Sequence, residues 1–347
     1  MSQSSDPEPA FDLPEHSEGI RVDRELLNAT KPYREESAAR SWWYVGSTFA
    51  LMIASLTIAG VVSWWPLRTV FSVLGGLLMV RCFITFHDYL HGAILKGSRL
   101  AHWLFITYGA LALTPTRSWL ASHNYHHGHV GQISEASVGA FPLITTRMWR
   151  ASTPWQRFAY RAQRHPLVVL LSYPIVFGLN ITLIPLLRAP RKHLDSLVAL
   201  ISHFGLIAVL RFLGGFSLVF FVILLPMTIA SAMGCYLFFA QHSFRRMQIA
   251  SPEAWTFYRA ALESSSYMKV NPVLQWFTGN IGYHHIHHLN SRIPFYRLPE
   301  VMAAIPELQA PLTTSLAPRD ISDCFRYALW DEEKQRMVTY REAGQGA

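Results

Sequence analysis

Between Val45 and Val62 the chain carries no charged side chain, and aromatic residues bracket the run: Trp42, Trp43 and Tyr44 before it, Trp64 and Trp65 after it. Indole and phenol rings favour the two faces of a bilayer. The roughly 22 residues between the tryptophan pairs make about 33 Å of helix, enough for a ~30 Å hydrocarbon core. A run of this kind commits the chain to a membrane, and Pro66 ends the helix it would form. A second span is expected from Val70 to Phe86, with Arg81 near its far end and able to snorkel to the interface. Leu197–Leu210 and Leu218–Phe239 are expected as the third and fourth, joined through Gly214 and Gly215. Only 15% of the residues are charged, against ~25% in an average soluble domain, so the polar surface is too small for a water-soluble body of 347 residues.

The second span empties into His87-Asp-Tyr-Leu-His91. Two further clusters follow, His123-Asn-Tyr-His126-His127 and His284-His-Ile-His287-His288. Residues four apart share a helix face, so His87 and His91 reach toward one point. In the other two clusters the i, i+3, i+4 pattern stacks the first and third rings and sets the middle one beside them. Imidazole suits iron, zinc, copper or nickel, and eight such ligands exceed what one ion can hold, so two metals are implied. Ionisable groups beside membrane spans are costly and mark function rather than packing. His242, just past the fourth span, is a candidate by position. His285 lies off the ligand face, and His129 extends the second cluster only in sequence. Asp88, next to the first ligand, is placed either to accept the other N–H of an imidazole or to pair with Arg81. Asn124 and Asn280 are weaker candidates for the same supporting role. His203, inside the third span, reads as an interior histidine with its hydrogen bonds satisfied; His16, His102, His165 and His193 read as surface or interfacial.

Two apolar stretches are ambiguous. Trp103–Leu113 is too short to cross, and Leu167–Leu187 is interrupted by Pro174, Asn180 and Pro185. All histidine clusters share one side of the membrane if neither crosses, so both are expected to be re-entrant or interfacial. The expected fold is therefore an all-α integral membrane protein: four transmembrane helices, re-entrant or interfacial helices, and a cytoplasmic helical cap bearing the histidines. Five arginines between Arg147 and Arg164, followed by Arg188, Arg191, Lys192, Arg245 and Arg246, lie on the histidine side, and only Arg68 and Arg211 lie near the other. By the positive-inside rule the histidine side and both termini are cytoplasmic, which makes the inner (cytoplasmic) membrane the expected location. Residues 1–41 are polar and read as a partly disordered cytoplasmic tail without a signal peptide. Residues 42–299 read as the membrane domain and 300–347 as a cytoplasmic C-terminal segment with short, proline-punctuated helices. The net charge of +8 fits a cytoplasmic membrane face better than nucleic acid, since the cations flank apolar runs. Cys82, Cys235 and Cys324 have neither zinc-site nor disulfide spacing.

HxxxH, HxxHH and HxxHH interleaved with apolar spans, in the strings HDYLHGA, SHNYHHGHVG, FFAQHSF and GNIGYHHIHHLNSRIPFYRLPE, resemble the membrane fatty-acid desaturases, and among them the omega-6 (delta-12) acyl-lipid branch. The first box departs from that branch's HDCGHG at Tyr89 and Leu90, between ligands. The resemblance implies that His87, His91, His123, His126, His127, His242, His284, His287 and His288 ligate two irons. It also implies that O2 is the co-substrate and that a cis double bond is placed in a fatty acyl lipid (or acyl-CoA) lying in an apolar tunnel. Stearoyl-type relatives carry an Asn four residues before the match to His242; here that position is Phe238, so that ligand is either missing or replaced by Gln241 or a water. With no haem motif and no iron–sulfur cysteine set, electrons would come from ferredoxin or a cytochrome b5 type donor on the basic face. Alkane hydroxylases, carotenoid hydroxylases and carotenoid ketolases have similar boxes and are the alternative within enzymes. A histidine-rich metal transporter or binding protein is the alternative outside them, though transporters set their polar groups at mid-membrane and these histidines sit at span ends.

Overall fold

The structure is a computed structural model that describes residues 21–133 and 141–344. The first helices are α1 (Asp23–Thr30), α2 (Ala38–Val61), α3 (Trp65–Leu90), α4 (Arg99–Leu111) and α5 (Thr116–His129). Then come the short α6 (Thr146–Ala151), α7 (Pro154–Gln163), α8 (Pro166–Leu170) and α9 (Ile184–Arg188), with a π-helical stretch, Tyr173–Leu183, between α8 and α9. The long α10 (Leu194–Val219) and α11 (Leu225–Gln241) follow, then α12 (Phe257–Glu263), α13 (Pro272–Phe277) and α14 (His284–Leu289).

Among the described residues three helical stretches are long and apolar enough to cross a bilayer: Ala38–Val61, Trp65–Leu90 and Leu194–Gln241. The last has 48 residues, which as one rod would measure about 72 Å, more than twice a hydrocarbon core. It is broken where the sequence suggested, at Gly214 and Gly215; Gly215 has φ 70°, ψ −168°, a region essentially closed to any residue with a Cβ. Pro66 does not end a helix but sits in the first turn of α3, where its missing N–H costs nothing. α3 is the central rod, and a glycine pair lets its neighbours approach. A Cβ on Gly75 would lie 2.6 Å from Leu56 of α2, and one on Gly76 2.9 Å from the Pro226 carbonyl of α11. Side chains at the membrane level such as Leu51, Ile53, Ile201, Phe204 and Phe212 are exposed and apolar, which fits them to lipid rather than water. Neither α4 nor the Tyr173–Arg188 stretch is among the crossing helices.

Arg81 does not snorkel. It is buried, donates to Thr48 Oγ1 (3.2 Å) and to the Trp276 carbonyl, and lies over the Trp276 ring at 4.3 Å. α13 folds back onto this part of α3 and offers a carbonyl and an aromatic face nearer than the interface. The chain is mostly helical but not wholly so. Among the described residues five short strands, β1 (Ile144–Thr145), β2 (Tyr267–Lys269), β3 (Thr313–Ser315), β4 (Tyr327–Asp331) and β5 (Arg336–Thr339), form the sheets β1-β4-β5 and β2-β3. The proline-rich C-terminal region breaks helices early, so its backbone groups find partners in strands instead. Residues 1–20 of the expected tail lie outside the described residues. Residues 21–37 pack on the histidine layer: Arg21 pairs with Glu307 at 2.8 Å, Leu26 joins the core and Asn290 donates to Thr30 Oγ1 at 2.8 Å. His203 is satisfied as expected, by the Tyr173 hydroxyl and the Leu111 carbonyl (2.7 Å).

Candidate metal centre

The histidines sit where helices end. α3 delivers His87 in its last turn and His91 at its C-cap; α11 delivers His242 at its C-cap; α5 and α14 lie across these ends and carry the two triplets. All nine singled out from the sequence converge, in two sets. His87, His91, His123, His127 and His287 form one; His126, His242, His284 and His288 form the other, with ligand atoms in each set within 4.8 Å of one another. The triplets are shared crosswise. The i and i+4 members of α5 join the first set and the middle one the second; α14 does the reverse.

The nitrogen spacing shows what the sets can hold. His123 Nε2 lies 3.0 Å from His87 Nε2, 3.0 Å from His91 Nε2 and 3.1 Å from His127 Nε2. His127 Nε2 is 3.1 Å from His287 Nε2. In the second set His242 Nε2 lies 3.1, 2.8 and 3.1 Å from those of His126, His284 and His288. A ring nitrogen has one hydrogen or one lone pair, so three such contacts at one Nε2 cannot all be hydrogen bonds. An unpartnered buried polar atom costs about 1–3 kcal/mol; nine together would rival the ~5–15 kcal/mol net stability of a domain. A cation among the lone pairs removes that cost. Ligands at ~2.1 Å around right angles stand about 3.0 Å apart, whereas tetrahedral ligands at the same length stand about 3.4 Å apart. The short edges fit nitrogen ligands gathered around a metal ion.

Burial, and then the neighbouring imidazoles, hold His123, His127, His284, His287 and His288 well below the ordinary histidine range; burial and His242 do the same for His126. Burial pushes His242 down to about 4, against the Ser264 carbonyl that accepts from its Nδ1 at 3.0 Å. The rings are therefore neutral at pH 7, which is the metal-binding form. Their orientations are fixed by neighbours. Trp119, which the sequence reading missed, stacks on His123 at 4.3 Å, and Phe238 meets His126 edge-on at 4.8 Å.

Of the supporting candidates, Asp88 is in contact. Its Oδ1 lies 3.1 Å from His87 Nδ1 and its Oδ2 accepts from the Phe295 amide at 2.6 Å, so it serves the imidazole and not Arg81. Asn280 donates to the Phe295 carbonyl and accepts from Gln275; it steadies the loop that binds Asp88 and touches no histidine. Asn124 is exposed and makes no hydrogen bond to the rings. Gln241 donates to the Ile281 carbonyl at 2.9 Å, away from the imidazoles. His285 faces the Leu308 carbonyl at 3.4 Å, and His129 is exposed on Tyr125. His193 bonds Ser118 Oγ, His165 caps α8, His102 is exposed, and His16 lies outside the described residues. Asp88→Ala is expected to lower metal retention by about 10–100-fold, the usual cost of losing a carboxylate behind a ligand. Metal analysis after graded chelator washes measures it; retention equal to that of the unaltered chain would rule the role out.

Against this centre lies a cavity of about 890 Å³, at the upper end of the ~300–1,000 Å³ range of small-molecule sites. It is lined mainly by apolar side chains of α3, α11 and the Tyr173–Arg188 stretch, among them Phe83, Ile181, Met227 and Leu237. His87 and His123 of one set and His284 of the other open onto it.

A fatty acid desaturase family model matches residues 63–316. A fatty acid desaturase of Bacillus subtilis (strain 168) is 31% identical over 271 residues, 78% of this chain and 76% of that protein. An sn-1 acyl-lipid omega-3 desaturase (ferredoxin) of Synechocystis is 25% identical over 280 residues, 78% and 76% of the two chains. An acyl-lipid omega-3 desaturase (cytochrome b5), endoplasmic reticulum, of Arabidopsis thaliana is 28% identical over 296 residues, 78% and 71% of the two.

Proposed function

This chain belongs to the fatty acid desaturase family, an oxidoreductase family, and from that premise we propose that it places a cis double bond in the chain of an acyl lipid, omega-6 (delta-12) in type, at a pair of irons. The observation that carries the reading is that both imidazole sets face one apolar, acyl-sized cavity. His87, His91, His123, His127 and His287 would hold one iron; His126, His242, His284 and His288 the other. When bound, the metal pair would use O2 to take hydrogen from an unactivated methylene pair. Overall, –CH2–CH2– + O2 + 2e⁻ + 2H⁺ gives –CH=CH– + 2H2O. The chain's own part is positional. The cavity walls exclude water and hold two methylenes beside the rings. Trp119 and Asp88 fix the His123 and His87 rings, so that the site does not reorganise during reaction.

The spans in this reading are α2, α3 and the two limbs of Leu194–Gln241, four in all, with the centre and both termini on the cytoplasmic side of an inner membrane and residues 42–299 as the working domain. Two relatives are named for ferredoxin and for cytochrome b5, and a donor of one of these kinds supplies the electrons here. Expression in a host that lacks the product, followed by fatty-acid profiling, tests the whole reading. A new cis double bond at the omega-6 position is expected, with about two irons per purified chain. Oxygenated carotenoids or alkanols would transfer the chain to the related hydroxylases and ketolases, and a single zinc would remove the di-iron centre.

A further inference from the structure

The acyl cavity changes character where it meets the outside. Three of its lining residues are exposed, Gln163, Asn180 and Arg188, and all three present N–H donors. The rest of the lining is buried or half-buried and mainly apolar. Among the described residues Arg188 is the one lining side chain with a formal charge; no Asp, Glu or Lys faces the cavity. Its level is set by its helix. Arg188 is the last residue of α9, which closes an apolar stretch with Leu170, Leu171, Leu179 and Leu187 exposed. The turn Pro190–Lys192 then adds Arg191 and Lys192, both exposed. Arg188 therefore stands where lipid-facing side chains give way to cations, the level of the lipid phosphates. Asn180 interrupts the same apolar stretch, and an amide beside hydrocarbon is costly unless something bonds to it.

An apolar cavity with a donor-rich, singly cationic mouth fits an amphiphile whose polar end accepts hydrogen bonds and carries negative charge. We infer that Arg188 holds the phosphate of a bilayer phospholipid at this mouth, and so selects phospholipids over acyl lipids with uncharged head groups. The inference rests on the desaturase reading and names its substrate class. A guanidinium offers paired N–H donors that match phosphate oxygens, and its apolar stem can lie along the cavity wall while the charge stays at the surface. A phosphate ester at the end of an acyl chain is also what acyl-CoA offers from the water side. Arg188 follows a run of lipid-facing leucines, which favours the bilayer as the source. A head group held at the mouth also fixes how far the chain reaches past His87, His123 and His284, and hence which methylenes lie beside them.

Two variants of equal net charge test this: Arg188→Gln, and Arg191→Gln, which is exposed and outside the cavity lining. Purified, iron-loaded chains are supplied with reduced ferredoxin or reduced cytochrome b5 and given dioleoyl phosphatidylglycerol, dioleoylglycerol or oleoyl-CoA in neutral detergent micelles. The Kd of a phosphatidylglycerol with a pyrene-ended chain is measured separately by fluorescence. Arg188→Gln is expected to raise KM and Kd for phosphatidylglycerol by about tenfold or more and to spread the double bond over neighbouring positions. Its KM for dioleoylglycerol should stay within about twofold of the parent's, with total kcat at saturation and iron content unchanged. Arg188→Lys should recover most of the affinity, and Arg191→Gln should move KM less than about twofold. Equal KM shifts for the two lipids, or from the two Gln variants, would overturn the inference, as would a parent chain with the lower KM for dioleoylglycerol. A KM rise confined to oleoyl-CoA would overturn the bilayer source and assign the phosphate to a soluble thioester. If the parent makes no product from any of the three substrates, the desaturase reading fails, and the pyrene-lipid Kd still decides whether Arg188 holds a phosphate.

Discussion

Alanine at His126 will remove detectable desaturated product while the chain stays in the membrane at its usual level. His126 Nε2 lies 3.1 Å from His242 Nε2, and its ring stands between Phe238 and His288. Without it the second set keeps three imidazoles, and an ion held there would lose a ligand and affinity. The fall in product should exceed about 100-fold, beyond what removing a mere supporting group costs, and bound iron should drop from about two to about one per chain. Because the His126 ring is buried among other rings and not in the bilayer-facing shell, the membrane fraction should hold as much protein as before. Fatty-acid profiles and metal analysis of the same preparation check both parts. Wild-type product from this variant would remove the ligand assignment.

Phenylalanine at Gly234 will block the acyl cavity and leave the metal centre alone. Gly234 lines the cavity from α11, and a Cβ built on it meets nothing within 4 Å, so a larger side chain enters empty space. It lies eight residues before His242, about 12 Å along the helix. A ring there intercepts a long chain that has already passed the histidines, whereas a short chain stops before reaching it. Product from long acyl substrates should fall by about tenfold or more, by loss of apolar contact area, with short substrates less affected and iron content unchanged. Gly234→Ala should keep near-parental activity and gain up to about 1 kcal/mol of helix stability. Equal activity of Gly234→Phe on long and short chains would show that the substrate does not pass this point.

Most of the histidine set was legible because its chemistry is local. Two residues four apart on a helix must share a face, and His87–His91, His123–His127 and His284–His288 do so. How the triplets divide between the two sets was not legible, because it depends on how α5 and α14 cross, and spacing along either helix says nothing of that. His242 has no motif of its own; its position past an apolar run made it a candidate and the resemblance strengthened it, since a lone histidine carries no spacing to read. Arg81 was misread for a related reason. Its fate is decided by α13, nearly two hundred residues later, and by an aromatic face that no local pattern announces. The same holds for Trp119 stacked on His123, for the small sheets, and for residues 21–37, whose polar composition suggested a tail but whose few apolar side chains, Leu26 above all, find a core supplied by other elements.

The crosswise division of the triplets bears on how the protein is made. Both sets draw on α14, His287 for one and His284 with His288 for the other, so a nascent chain has neither site complete until residue 288 has left the ribosome. If each set holds an ion, as proposed, loading of both would have to follow synthesis of the last apolar helix, which ends at Gln241. A chain cut short anywhere before that point would be born without either.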